Sequence, residues 1–246
     1  MNRTINQYYN HLINIWSDIK VDPPHIAQAD LEVMNLKAVA NGKMNFNFDF
    51  VPQPYWGNIK NPKIIVLTLN PGFYREEDFR TNEKHKQTFL NNLKQNPSLN
   101  WLNFEEGKDR KWWFNTIKDL LDENISINDI YRKIGFFEFN GYHSKSFKSK
   151  TYNTIKELNK YEFGIKSGIL PTQKAMFDYI DSLLNQESSK KPLVAIIWGQ
   201  RFWVQALPIL KSFDYIDTVS TTSHLLSKGN LRPIDLKKMK EKLNEK

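Results

Sequence analysis

The chain has 246 residues, a formal charge of +8 and a hydrophobic share of 40%, the make-up of one sizeable globular domain that can bury its own core. Cysteine is absent, which excludes a disulfide scaffold, a thiolate nucleophile, a thiolate zinc site and an iron–sulfur cluster. No apolar run reaches spanning length and no charged-then-apolar leader opens the chain, so a cytoplasmic protein without a membrane partner is expected.

The N-terminal pattern places Ile5, Tyr8, Tyr9, Leu12, Ile15, Trp16 and Ile19 at helical spacing, which predicts an amphipathic helix over 5–19. Asp22-Pro23-Pro24 ends it, and a second helix is expected from about Ile26 to Ala40. Residues 41–63 are rich in Asn, Phe and Pro, and Pro52, Pro54 and Pro62 argue against a regular element there. Ile64–Leu69 reads as a buried strand stopped by Asn70-Pro71-Gly72. Helices are expected at 83–95 and 108–123, the second with Trp113, Ile117, Leu120 and Leu121 on one face.

Ile134–Phe139 is a second predicted strand, ending at Asn140-Gly141, and Pro171-Thr172 opens a further helix. Leu193–Trp198 is the third strand, closed by Gly199 and followed by a helix bearing Phe202, Trp203 and Leu207. A short fourth strand is expected between Asp214 and Val219, and the lysine-rich tail from Asp235 reads as a solvated helix or frayed end. No internal repeat or linker divides the chain. Strands separated by helices predict a three-layer α/β/α domain spanning 1–246 around a short, mostly parallel four-stranded sheet, with helices of 1–40 packed on it.

Sites in such sheets lie beyond the carboxyl ends of the strands. That rule singles out Asn70, Asn140, Gly199 and the loop of 220–230. The strand ends carry no Ser-His-Asp set, no P-loop and no GxGxxG. Of the five histidines, His11, His25 and His85 lie far in sequence from strand ends and read as structural or exposed. His143 and His224 each follow a strand, but without nearby carboxylates they make a poor metal pair. No metal or cofactor is expected.

The basic balance invites a polyanion as partner, although 28 of the 35 basic residues are lysine, a bias that an AT-rich coding sequence produces by itself. Aromatics at 13%, with seven tryptophans, add surfaces on which bases can stack.

Leu67-Thr68-Leu69-Asn70-Pro71-Gly72-Phe73, preceded by Pro54-Tyr55-Trp56-Gly57-Asn58, resembles the first motif of the uracil-DNA glycosylase superfamily. The likeness is nearest to the mismatch-specific and single-strand-selective branches, whose first strand ends in Asn-Pro-Gly. Ile196-Ile197-Trp198-Gly199, with the helix, short strand and Ser-rich loop that follow, is similar to that superfamily's last βαβ unit. Ser223-His224-Leu225-Leu226-Ser227 resembles its second motif, and Phe137-Glu138-Phe139-Asn140 falls where the family keeps a base-reading asparagine. The likeness spans about residues 52–232.

The resemblance implies a monofunctional DNA glycosylase that hydrolyses the N-glycosidic bond of uracil or another altered base flipped out of single- or double-stranded DNA. Asn70 would hold the attacking water, and Phe73 or Tyr74 would stack on the base. Asn140, with a donor and an acceptor side by side, would read a pyrimidine edge. Leu225 or Leu226 would wedge into the duplex, while Ser223, Ser227, Lys228 and Arg232 would hold flanking phosphates. The family's second motif commonly begins with a histidine that stabilises the departing base. Aligning the serines puts Thr221 there, so that role passes to His224 or His143, or this branch manages without it.

Each motif also has a plainer explanation. Asn70 precedes Pro71 as turn formers do, Asn140 precedes Gly141 as left-handed residues do, and the loop is an ordinary surface turn in outline. The alternative functions are a catalytically inactive nucleic-acid-binding protein of the same fold and an unrelated small-molecule hydrolase on an α/β sheet.

Overall fold

A computed structural model describes residues 3–34, 45–69, 83–95, 114–144, 151–165, 168–218 and 226–245. Among them the helices are α1 (Ile5–Trp16), α2 (Gln28–Leu31), α3 (Glu83–Leu93), α4 (Ile127–Lys133), α5 (Ile155–Glu162), α6 (Pro171–Leu184), α7 (Gln200–Ala206) and α8 (Pro233–Asn244). The strands are β1 (Phe46–Asn47), β2 (Tyr55–Gly57), β3 (Ile64–Thr68), β4 (Ile134–Glu138), β5 (His143–Ser144), β6 (Leu193–Ile196) and β7 (Ile216–Asp217).

Continuous apolar runs suit strands covered on both faces. Every residue of β3 and β4 is buried. Five strands form the main sheet in the order β2-β4-β3-β6-β7, while β1 and β5 make a separate two-stranded ribbon. The pairs β4–β3, β3–β6 and β6–β7 are parallel, and β2 runs antiparallel to β4. The fold is α/β with a mostly parallel sheet, and the four parallel strands are those expected from the sequence. The fifth is a correction. Tyr55–Gly57 forms an edge strand between Pro54 and Pro62 because neither proline falls within it and an edge needs only one row of hydrogen bonds.

The connections fix the layers. The chain steps from β3 to β4 on one side, then from β4 back past β3 to β6 on the other. Right-handed crossovers in opposite directions carry their helices to opposite faces. Phe137 and Phe139 accordingly turn towards α6, meeting Tyr179 and Phe177, and Phe139 also meets Trp203 of α7 edge-on. On the other face Trp56, in register with Phe136, meets Phe89 of α3.

Several helix boundaries differ from the periodicity. Helix α1 begins with a Thr4/Gln7 capping box and ends at Trp16, because Ser17 turns back on Asn14. The helix expected over 26–40 is a single turn, α2, after which Met34 bridges to Ile165; residues 35–40 lie outside the described residues. Of the helix expected over 108–123, residues 114–117 are helical and Lys118–Leu120 tighten into a 3₁₀ turn, with Leu121 already extended. The lysine-rich tail is neither frayed nor simply solvated. Helix α8 buries Met239 and Leu243 one helical turn apart; Lys133 of α4 donates to its Leu243 carbonyl, and its own Lys240 donates to Asp122.

The N-terminal segment is tied to the sheet by one buried carboxylate. Asp30 accepts from the Tyr142 hydroxyl at 2.7 Å and from the Thr172 hydroxyl and main-chain N–H at 2.7 and 3.1 Å. Tyr142 in turn accepts from the Ala27 N–H at 3.1 Å and packs against Trp16, Phe46 and Phe48. One side chain therefore joins α2, the start of α6 and the loop beyond β4. Asp30→Ala leaves three buried donors unpaired, each costing about 1–3 kcal/mol. The expected result is a loss of at least about 3 kcal/mol in urea unfolding, with an unchanged m-value.

Candidate functional site

In a parallel sheet the crevice opens where adjacent strands send their connections to opposite sides. Here that point lies beyond the carboxyl ends of β3 and β6, with the end of β4 alongside. The main chain draws these ends together. Phe139 and Asn140 donate successive N–H groups to the carbonyls of Thr68 and Leu69 at 2.9 and 2.8 Å, and Ile197 donates to Leu67 at 3.0 Å. The Trp203 indole adds a second donor to the Thr68 carbonyl at 2.8 Å.

Gly199 closes the gap on the β6 side. It holds φ +77°, and a Cβ there would lie 2.1 Å from a Leu69 methyl carbon, so only glycine admits α7 this close to the end of β3.

Sequence reasoning placed Asn140 at this edge, and the structure does too. It is fully buried, its φ is not positive, and so the reading as a left-handed turn residue falls away. Gly141 follows it for a packing reason, since a Cβ would come within 2.9 Å of both Pro54 and Trp16. The Asn140 Oδ1 accepts a long bond from the Tyr142 N–H at 3.4 Å, whereas Nδ2 has no partner.

His143, three residues further, is buried in the β1–β5 ribbon. Its Nε2 lies 3.1 Å from the Val51 carbonyl, and its ring stands edge-on to Phe50.

Of the expected phosphate contacts, Lys228 donates its main-chain N–H to Asp119 at 2.8 Å, and Ser227 heads a turn by accepting from Asn230 and Leu231. Arg232 is engaged at the start of α8, with Nε 2.6 Å from the buried Asp235 carboxylate. Leu226 is fully buried. Asn70, Phe73, Tyr74, Ser223, His224 and Leu225 lie outside the described residues.

Two polar side chains at the same edge went unnoticed in the sequence. Glu138 closes β4, in register with Thr68 of β3, and the Thr68 hydroxyl hydrogen-bonds to its carboxyl. That hydroxyl also accepts from the Leu69 N–H at 2.7 Å, so its own proton is directed to the acid. The Glu138 Oε2 is buried without a partner. Gln53 is the other: its main-chain N–H donates to Gly141 at 2.8 Å, while its buried Nε2 also lacks a partner. Buried polar atoms are almost always paired. Among the described residues six buried side-chain atoms are not, and three of them belong to Gln53, Glu138 and Asn140. The signal was present in Phe136-Phe137-Glu138-Phe139, where a lone acid interrupts an otherwise apolar buried strand.

Burial raises the Glu138 carboxyl to about 8, against a smaller opposing effect of the Thr68 hydrogen bond. Burial likewise raises Asp30 to about 6, opposed by its bonds from Thr172 and Tyr142. Among the described residues no cluster of three or more His, Asp or Glu side chains is arranged to hold a metal ion.

Both raised acids hold protons in the folded protein that the unfolded chain has released. Stability therefore falls as pH rises, from about pH 4 to 6 for Asp30 and from about pH 4.5 to 8 for Glu138. Each contributes a slope of at most about 1.4 kcal/mol per pH unit within its window. Glu138→Gln should flatten the upper part of that dependence and leave the lower part in place, measured by urea unfolding at a series of pH values.

No family model matches the chain, and no curated protein or solved structure matches it either, so the case for an activity rests on its own residues.

Proposed function

We propose that the chain is a monofunctional DNA glycosylase, hydrolysing the N-glycosidic bond of uracil or another altered base extruded from DNA. The observation that carries this reading is Asn140: a fully buried amide at the carboxyl edge of the sheet, with its oxygen engaged and its NH₂ unpaired. A buried donor without a partner is costly unless something arrives to accept from it, and a base carbonyl is such an acceptor. The topology supports the same location, because the crevice at the ends of β3 and β6 is where ligands of open α/β sheets bind.

In this reading Asn70 holds the water that adds to the sugar carbon, and Phe73 or Tyr74 stacks on the base. Ser223, Leu225, Ser227, Lys228 and Arg232 belong to the DNA contact. The net charge of +8 favours a polyanionic partner. His224 or His143 would be the histidine that stabilises the departing base.

Base release from oligonucleotides carrying a single uracil, read by alkaline strand cleavage, tests the activity directly. Removing the Asn70 amide as Asn70→Ala should slow release about 10²–10⁴-fold with DNA affinity largely kept. Asn140→Asp replaces a donor with an acceptor, so the ratio of uracil to cytosine release should fall. Release from no modified oligonucleotide, together with salt-dependent DNA affinity, would favour the inactive nucleic-acid-binding protein; neither release nor DNA binding would favour the small-molecule hydrolase.

A further inference from the structure

We infer that Glu138 acts in this site as a neutral carboxylic acid, donating a hydrogen bond from Oε2 to a carbonyl oxygen of the bound base as the glycosidic bond breaks. The inference rests on the glycosylase reading and adds to it a group outside both sequence motifs.

Geometry carries it. Glu138 is the last residue of β4, beside Thr68 at the end of β3 and two residues before Asn140. One carboxyl oxygen is occupied by the Thr68 hydroxyl, whose acceptor side is itself taken by the Leu69 N–H. The carboxyl is thereby anchored, and Oε2 alone lacks a partner. Stretches 53–54 and 138–141 are joined by main-chain bonds from Glu138 to Pro54 and from Gln53 to Gly141. The unpaired atoms of Gln53, Glu138 and Asn140 thus belong to one small region of backbone.

Among the described residues, Thr68 faces the acid from β3, Pro54 and Gln53 lie on the segment entering β2, and Asn140 and His143 follow on its own chain. Among the described residues no salt bridge reaches Glu138. With its carboxyl raised by burial to about 8, the acid keeps its proton at neutral pH. A carboxylic acid held neutral in an apolar setting is a strong, fixed donor to an oxygen on which charge develops.

The chemistry needs that donor. When the bond from the sugar carbon to the base nitrogen breaks, its electron pair leaves with the base and spreads over the ring carbonyls. Water's oxygen joins the sugar carbon, and the proton it releases ends on the base. The Glu138 proton stays on Glu138 throughout, so the acid stabilises charge and is not consumed. This supplies the donor that the resemblance lacks at Thr221.

The test is single-turnover base release from a uracil oligonucleotide between pH 6 and 10, with folding of each variant checked by circular dichroism. Wild-type release should decline above about pH 8. Glu138→Ala should lower the neutral-pH rate about 10²–10³-fold, the effect of removing one preorganised donor. Glu138→Gln, which keeps a donor but has no proton to lose, should recover most of that loss and abolish the alkaline decline. An alanine variant as fast as wild type, or a glutamine variant that retains the alkaline decline, overturns the role. The glutamine arm stands alone if the alanine variant fails to fold. Absence of release by the wild-type protein from any modified oligonucleotide would instead overturn the glycosylase reading itself, and the role with it.

Discussion

Strand β3 has no free side. Its five residues are buried, β4 and β6 pair with its two edges, and helices pack on both faces of the sheet it centres. A backbone in that position must place every N–H and C=O within the sheet, which fixes the register of its neighbours to the residue. Where β3 stops, its last carbonyls remain, and they are met by Phe139, Asn140, Ile197 and Trp203. The carboxyl edge of the sheet is therefore made by the rules of strand pairing. The polar side chains found there are carried to their places by apolar strands that had to end at that point.

That economy explains what was legible in the amino-acid order. Ile64–Leu69, Ile134–Phe139 and Leu193–Trp198 are runs that only a doubly covered strand can bury, and punctuation by Asn-Pro-Gly, Asn-Gly and Gly sets their ends. The position of Asn140 follows from them. Three-residue β2 was illegible because nothing in Tyr55-Trp56-Gly57 alternates long enough to register, and the prolines around it dominate the local pattern. The tail misled for the opposite reason: lysines crowd α8 so densely that the apolar pair Met239 and Leu243 is swamped, although spacing of four residues is enough to seat a helix. Glu138 is illegible as a site residue because the hydrophobicity of Phe136, Phe137 and Phe139 dominates the run that contains it. Its partner Thr68 lies 70 residues earlier, and only strand pairing reveals it.

Asp30 and Glu138 show two outcomes for a buried acid. Asp30 receives three hydrogen bonds, and its carboxyl is raised only to about 6, so at neutral pH it works as an ionised cross-link. Glu138 has Thr68 alone and is raised further, to about 8. The difference in donors sets the difference in charge. One acid is spent on architecture, and the other retains an uncommitted atom at the edge where ligands of such sheets bind.

Helix α3 also has a bearing on how the molecule behaves in company. The Tyr55 carbonyl accepts from the Asn92 side chain at 2.7 Å, and the Tyr55 hydroxyl donates to the Leu93 carbonyl. These contacts place α3 over the β2 margin, while the opposite margin, β7, is two residues long. Unpaired strand margins are where sheets recruit further chains, through domain swapping or fibrous aggregation. With one margin occupied by a helix and the other cut short, the sheet terminates itself. Addition of a further strand is thereby limited at both margins among the described residues.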